Sequence, residues 1–237
     1  MSTTTIDAHE LTVVHELKMS TVELGLMAKG LLAAAGKDAD THGVLCHATI
    51  EAEGLSGVAV ATDRYRIHQM NLALRAPVDR VAVVIPHDAL VWAAKNSGTF
   101  KPKKDALIEP IAVLTLVVPA FPDEQKTPGW VAVIYREWDD DNAPSARFDA
   151  PLVKEQYPPM ARLIDGVRVA QGGEPSPLQL DFLADARTLQ TPLTTPPTIA
   201  YTVAETGRPG PALLDFWEGG VLRATALIQP SKNLDDE

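Results

Sequence analysis

Apolar residues recur along this chain in two rhythms, every second position and every third or fourth. Leu11 to Leu17 reads as a strand. Ser20 and Glu23 then have the spacing of a capping box, ahead of a predicted helix from Thr21 to Ala35. Leu24, Met27, Ala28, Leu31 and Ala35 fall on one face of that helix, and Gly36 is a natural stop. Val44 to Ala52 and Val58 to Ala61 read as strands with Glu53-Gly54 at the turn between them, and Ile67 to Leu74 as a third.

The pattern then restarts. Val81 to Ile85 is a β-branched run, and Pro86 opens a short helix from His87 to Lys95 that ends at Asn96-Ser97-Gly98. Ile108 to Val118 and Trp130 to Tyr135 read as strands joined by a Pro-rich loop from Pro119 to Pro128, with a short strand at Ala146 to Phe148. A third, incomplete start has a short strand at Leu178 to Leu180 and a helix from Asp181 to Leu189. Ile199 to Val203, Ala212 to Trp217 and Val221 to Ile228 follow as strands, the last two joined at Glu218-Gly219-Gly220, a hairpin turn. Strand, helix and strands thus appear about three times, starting near residues 11, 81 and 177. The expected class is α+β, with antiparallel sheets and the helices on one side of them.

Composition narrows the classes. The 237 residues are 46% hydrophobic, enough for a real core and one or two domains. No apolar run is long enough for a membrane helix, and the polar stretch from Met1 to His9 lacks the pattern of a secretory leader. Cys46 is the single cysteine, so no internal disulfide forms and a reducing, cytoplasmic setting is expected. The net charge of −10 argues against a protein that coats nucleic acid by neutralising phosphates. It leaves room for one that surrounds DNA without gripping it, with a modestly basic lining and acidic surfaces elsewhere.

A search for catalytic chemistry finds little. There is no phosphate-binding glycine loop, no Cys-x-x-Cys, no His-Glu-x-x-His and no Gly-x-Ser-x-Gly elbow. The histidines are scattered singly, and Cys46 reads as a small core residue in an apolar strand. Glu137, Asp139, Asp140 and Asp141 form an acidic run that reads as a solvated loop or, alternatively, a cation site. Lys101, Lys103 and Lys104 form the densest basic patch, a solvated loop or a phosphate contact. No enzyme activity, metal or cofactor is expected.

Three segments resemble the bacterial-type DNA polymerase sliding clamp, the beta-clamp family. Val58 to Ile67, Val-Ala-Val-Ala-Thr-Asp-Arg-Tyr-Arg-Ile, is similar to the family's apolar strand ending Ala-Thr-Asp-Gly-His-Arg-Leu. Ala61, Thr62, Asp63 and Arg66 match, while Arg64 replaces the usual glycine and Tyr65 the usual histidine. Tyr157 to Ile164 resembles Phe-Pro-Asp-Tyr-x-x-Val-Leu, and Leu227 to Ser231 resembles the terminal apolar-Met-Pro-Met segment, with Gln229 and Ser231 departing from it.

The resemblance implies the DNA-clamp fold and a non-enzymatic processivity factor. Its chains close into a ring around double-stranded DNA, without reading sequence. Its partners are DNA polymerase and the clamp loader, held through short linear motifs. The partner pocket it implies here is Leu45, Thr62, Tyr65, Arg66, Ile67, Pro158, Arg162, Leu163, Leu227, Gln229 and Pro230. Lys29, Lys37, Lys95, Lys101, Lys103 and Lys104 are the residues expected to face DNA. Family members carry three domains per chain; this sequence divides into a clamp domain over 1–165 and a partial one over 166–237. Its reduced size suits a phage-encoded version, closed from three or four chains. An alternative is a clamp-like module that forms no ring and binds polymerase or competes with a host clamp.

Overall fold

The computed structural model describes residues 12–102, 109–120, 129–170, 172–204 and 206–231. The first strand, β1 (Thr12–Ser20), buries Leu17 and Met19 on alternate positions and hands its last residue to helix α1 (Thr21–Ala34) as a cap. The Ser20 hydroxyl accepts the Glu23 N–H at 3.0 Å, satisfying one of the open donors of the first turn. The Glu23 carboxylate does not return to Ser20 as a capping box would have it. It accepts the Ala73 N–H at 3.1 Å and pairs with Arg223 at 3.2 Å, tying the helix start to two strands. Leu24, Met27, Ala28, Leu31 and Ala35 are all buried, as their spacing requires.

Beyond α1 the structure departs from expectation. A short helix α2 (Ala39–His42) leads into a 3₁₀ turn over Gly43–Cys46, where a strand was expected. Cys46 is buried in that turn, not in a strand. Strand β2 (Ala48–Thr62) is continuous through Glu53-Gly54. Gly54, at φ +60°, makes a bulge instead of a reversal, because the residues on both sides of it pair with the same long strand, β3 (Arg66–Ile85). Pro77 falls where that pairing slips, between Ala73 and Val78, so its missing N–H breaks no ladder bond.

Helix α3 (His87–Asn96) is followed by β4 (Ile111–Pro119), β5 (Trp130–Arg136) and β6 (Ser145–Pro151). The acidic run lies in the β5–β6 connection, where Asp139 pairs with Lys18 at 3.0 Å and Asp141 with Arg136 at 2.8 Å. Helix α4 (Met160–Val169) was not foreseen, since Pro158-Pro159 reads as extended linker. Helix α5 (Leu180–Ala186) ends in a 3₁₀ turn at Arg187–Leu189, and no strand precedes it. Strands β7 (Ile199–Val203), β8 (Pro209–Glu218) and β9 (Val221–Ile228) complete the described chain. Gly219 and Gly220, at φ +57° and +84°, make the two-residue turn between β8 and β9.

Both sheets are antiparallel, in the orders β1-β4-β5-β6 and β2-β3-β9-β8-β7. The first two units interlock by exchanging opening strands. β1 pairs with β4 of the second unit, and Val81–Ile85, which opens the second, pairs with Ala48–Ala52 of the first. The third unit joins through β9, which pairs with β3 from Arg66↔Ile228 to Met70↔Ala224. Position 165/166, where the sequence was divided, lies inside α4, and β9 carries the segment beyond it into the sheet that β2 and β3 begin.

Helices α1, α3 and α5 pack in one layer with α1 in the middle. They cover the face that carries Ala59, Ala61, Leu214, Phe216, Ala226 and Ile228. The alternate positions Val60, Ile67, Leu213 and Leu227 point to the opposite face, where Ile164 of α4 covers them. Sheet and helix periods together therefore place α4 on the outer side, opposite α1, α3 and α5. The chain just after α4 then runs along the free flank of β7. The Ala170 carbonyl accepts the Val203 N–H at 3.2 Å, and the Tyr201 carbonyl accepts the Gly172 and Gly173 N–H groups at 3.1 and 3.0 Å. A Cβ on Gly173 would stand 2.3 Å from the Thr202 carbonyl oxygen, so only glycine lets the strap lie this close.

Candidate functional site

The turn between β2 and β3 is fixed by its own polar side chains. The Asp63 carboxylate accepts the N–H groups of Tyr65 and Arg66 at 3.0 and 3.1 Å. The Thr62 hydroxyl donates to the Arg66 carbonyl at 2.6 Å and accepts the Arg64 N–H at 3.1 Å. Arg64 holds φ +83°, a left-handed conformation that favours glycine. Arg64→Gly is therefore expected to raise stability by roughly 1 kcal/mol, read as a melting temperature a few degrees higher.

Tyr157 anchors this turn to the segment entering α4. Its hydroxyl accepts the Thr62 N–H at 3.0 Å and donates to the His47 carbonyl at 3.3 Å. Burial pushes the phenol well above its usual range, so it stays neutral and able to do both. The ring packs with Leu45 and Val84, which brings the 3₁₀ turn alongside. From the other side the Gln229 N–H donates to the Tyr65 carbonyl at 2.8 Å, extending the β3–β9 ladder past Ile228.

These contacts enclose a cleft of about 430 Å³. Its lining comes from four segments: His42, Val44 and Leu45; Thr62, Arg64, Arg66 and Ile67; Pro158, Met160 and Leu163; Leu227 and Gln229. Leu45, Ile67 and Leu227 are buried beneath it, while Leu163 remains 43% exposed at its rim. The arrangement suits an apolar side chain entering from solvent, with polar groups at the edges to orient it.

Of the residues that sequence analysis assigns to a pocket, Leu45, Thr62, Arg66, Ile67, Pro158, Leu163, Leu227 and Gln229 line this one cleft. Tyr65, Arg162 and Pro230 do not. Tyr65 turns toward α5 and stacks on Phe182 with ring centroids 6.4 Å apart, Arg162 is exposed on α4, and Pro230 is half-buried past the end of β9. His42, Val44, Arg64 and Met160 line the cleft without having been singled out. Arg64 and Met160 lie inside the quoted motifs and were legible there. His42 and Val44 reach the cleft because Gly43–Cys46 coils, which no periodicity announces.

Arg66 is turned away from solvent. Its Nε donates to Asp63 at 3.1 Å, its Nη1 to Asp185 of α5, and its guanidinium carbon lies 4.5 Å from the centre of the Phe182 ring. Only 6% of its side chain is exposed. It therefore pins the third unit to the β2–β3 turn as much as it walls the cleft.

No protein-family model and no curated protein matches the sequence. Solved structures do. A protein assigned as a DNA polymerase III beta subunit from Eubacterium rectale superposes with a TM-score of 0.57 at 11% identity, over 98% of this chain and 68% of that one. The DNA polymerase III subunit beta of Pseudomonas aeruginosa gives 0.56 at 13% identity, over 98% and 69%. The DNA polymerase sliding clamp of Bacillus subtilis gives 0.51 at 14% identity, over 92% and 64%. The chain has the bacterial sliding-clamp fold.

It spans about two thirds of the length of these structures. In this clamp fold the helix layer of α1, α3 and α5 is one face and α4 with the cleft is the other. Lys29 is exposed on α1 and Lys95 in the last turn of α3. Lys101 is exposed beyond α3, and Lys37 lines a small hollow with Cys46, His47, Pro86, His87 and Asp88. Lys103 and Lys104 lie outside the described residues. Asp88 and Asp181 are exposed on α3 and α5, so the charge of the helix layer is mixed. Among the described residues, no group of His, Cys, Asp and Glu is placed to hold a metal ion, and no helix is long and apolar enough to cross a membrane.

Proposed function

We propose that this protein is a sliding-clamp-type processivity factor of DNA replication, whose cleft captures short linear motifs of the DNA polymerase and clamp loader. The observation that carries the reading is the cleft itself. Four segments far apart in sequence converge on an apolar floor at the β2–β3 turn of a sliding-clamp fold. A Leu or Phe anchor buried there contributes about 1.5–3 kcal/mol, and the rim of Arg64 and Gln229 offers hydrogen bonds to its backbone. Gln229 makes the rim more polar than an all-apolar one, which selects among motifs.

The test is direct. A fluorescent peptide carrying a Leu/Phe anchor is titrated with the protein, and Leu163→Asp is expected to weaken its binding by roughly thirtyfold or more, the equivalent of losing one buried apolar anchor. The far-ultraviolet spectrum is expected to stay unchanged, because Leu163 is at the rim. Equal affinity of the two proteins would overturn the reading.

In the same reading the helix layer faces duplex DNA. Lys29, Lys37, Lys95 and Lys101 with the neighbouring Lys103 and Lys104 supply its non-specific, salt-dependent contacts. Residues 166–237 act as a partial domain docked on the first through β9. A second reading, a clamp-fold module that closes no ring, is favoured by the strap over β7, which occupies a strand flank that another chain would need. Retention on circular but not linear DNA distinguishes the two, because only a closed ring slides off ends and stays on circles.

A further inference from the structure

Arg64 stands at a position that suits glycine. Its φ of +83° is left-handed, and among the described residues every other positive φ is held by a glycine. The turn does not need the side chain. Its fixed bonds come from Asp63, Thr62 and the Arg64 N–H, all of which a glycine at this position would keep. The fold does not use it either. Arg64 is exposed, and among the described residues its guanidinium has no hydrogen-bond or ion-pair partner. A side chain kept against local strain and unused by the fold is free for a ligand.

The cleft supplies the context. Its ionisable lining residues are His42, Arg64 and Arg66, and no carboxylate is among them. Arg66 is committed to Asp63 and Asp185. His42 Nδ1 lies 3.1 Å from the Asp38 carbonyl, and the Asp38 carboxylate is taken up by the Thr41 hydroxyl and the Asp40 N–H. On α4 the exposed Arg162 and Asp165 lie either side of the rim residue Leu163 with opposite charges, which leaves the local sign to Arg64.

We propose that Arg64 makes the cleft selective for linear peptides that carry a carboxylate beside their apolar anchor. The inference rests on the cleft reading and names the class of motif that the cleft accepts. The anchor occupies the floor of Leu45, Ile67 and Leu227. At about 3.3 Å per residue of extended chain, an Asp or Glu one or two residues from that anchor comes within reach of a guanidinium at the mouth. A guanidinium holds both oxygens of a carboxylate at once, which an amide rim cannot match. The whole chain carries a net charge of −10 and repels acidic peptides at long range, so acceptance of one depends on a cation at the mouth. At about 0.15 M salt the screening length is about 8 Å, which removes most of that repulsion and leaves the contact pair.

The test uses the full chain at that salt and a fluorescent peptide with the Leu/Phe anchor in paired forms. The forms differ by Asp or Asn beside the anchor, placed before it in one pair and after it in the other. The wild type is expected to bind the Asp form roughly threefold more tightly in at least one pair, within the range of an exposed charge pair. Arg64→Asn keeps a residue that tolerates the left-handed turn and is expected to bring this ratio close to unity. Arg64→Lys is expected to keep most of the preference and Arg64→Glu to reverse it. The ratio is the readout because it cancels any change in anchor binding that the substitutions cause. Circular dichroism melts keep loss of folding apart from loss of selectivity. Equal affinity of the wild type for both forms in both pairs overturns the proposal and leaves the cleft reading standing. A preference that survives Arg64→Asn overturns it too and assigns the recognition to another cation. Binding of neither form removes the cleft reading and this inference with it. A short single-stranded oligonucleotide that displaces the peptide from the wild type but not from the Arg64→Asn variant gives the charge to nucleic acid and overturns the assignment to a peptide.

Discussion

Replacing Arg66 with methionine is expected to destabilise the fold by about 3 kcal/mol, because it leaves the Asp63 carboxylate buried without its cation. The Asp63 side chain is 12% exposed, and Arg66 supplies its Nε bond at 3.1 Å. Methionine preserves much of the stem volume, so the loss reports the charge and its hydrogen bonds more than a cavity. The Asp185 half of the contact weighs less. That carboxylate is 42% exposed, so Asp185→Asn is expected to cost about 1 kcal/mol or less. Arg66→Lys is expected to fall between the two, since an ammonium cannot reach Asp63 and Asp185 together while lying flat on Phe182. Urea unfolding of the three variants checks the order. A loss for Arg66→Met no greater than that for Asp185→Asn would show that the buried arm contributes little.

Acidification is the second large effect. His68 lies fully buried on β3 beneath α1, with Nδ1 at 2.7 Å from the Gly30 carbonyl and, among the described residues, no hydrogen-bond partner for Nε2. Burial pushes its pKa down from 6.5 to about 4; the Gly30 bond and the carboxylates of Asp185 and Asp63 act the other way, and Arg66 adds to the depression. The unfolded chain therefore takes up the proton first as pH falls. The contribution is whole above pH 6.5 and is lost as pH falls from 6.5 toward 4, about 3 kcal/mol over that window. His68→Gln keeps a donor for the Gly30 carbonyl and removes the titration. Its stability is expected to fall much less steeply than the wild type's across the window, the remainder coming from groups such as His47, which burial also shifts downward. Parallel curves for the two proteins would place the acid sensitivity elsewhere.

The two predictions involve neighbouring residues of one strand that the sequence treats very differently. Asp63 and Arg66 stand in a motif legible in the linear chain, three residues apart, and their bond is local. His68 reads as one more scattered histidine. Its burial follows from the packing of α1 on β3 and from the third unit beside them, both long-range events.

What the sequence determined by itself is what short-range chemistry controls. The Ser20 cap, the apolar face of α1, the reversal at Gly219-Gly220 and the extents of β7 and β9 each depend on a few adjacent residues, and each is found within a residue or two of its expected place. The tertiary structure decided the rest. Glu53-Gly54 looks like a turn, yet it is a bulge, because a partner long enough to pair with both sides stabilises the extended chain. Pro158-Pro159 suits an ordinary linker, yet Met160 onward coils, because the outer faces of β2, β8 and β9 offer Val60, Leu213 and Leu227 to cover. The cleft followed both routes: its motif residues could be named from their order along the chain, but His42 and Val44 joined it, and Tyr65, Arg162 and Pro230 left it, through coiling and packing that act across long separations. Sequence spacing fixes which residues share a face of an element; only the burial of one element against another fixes which faces meet.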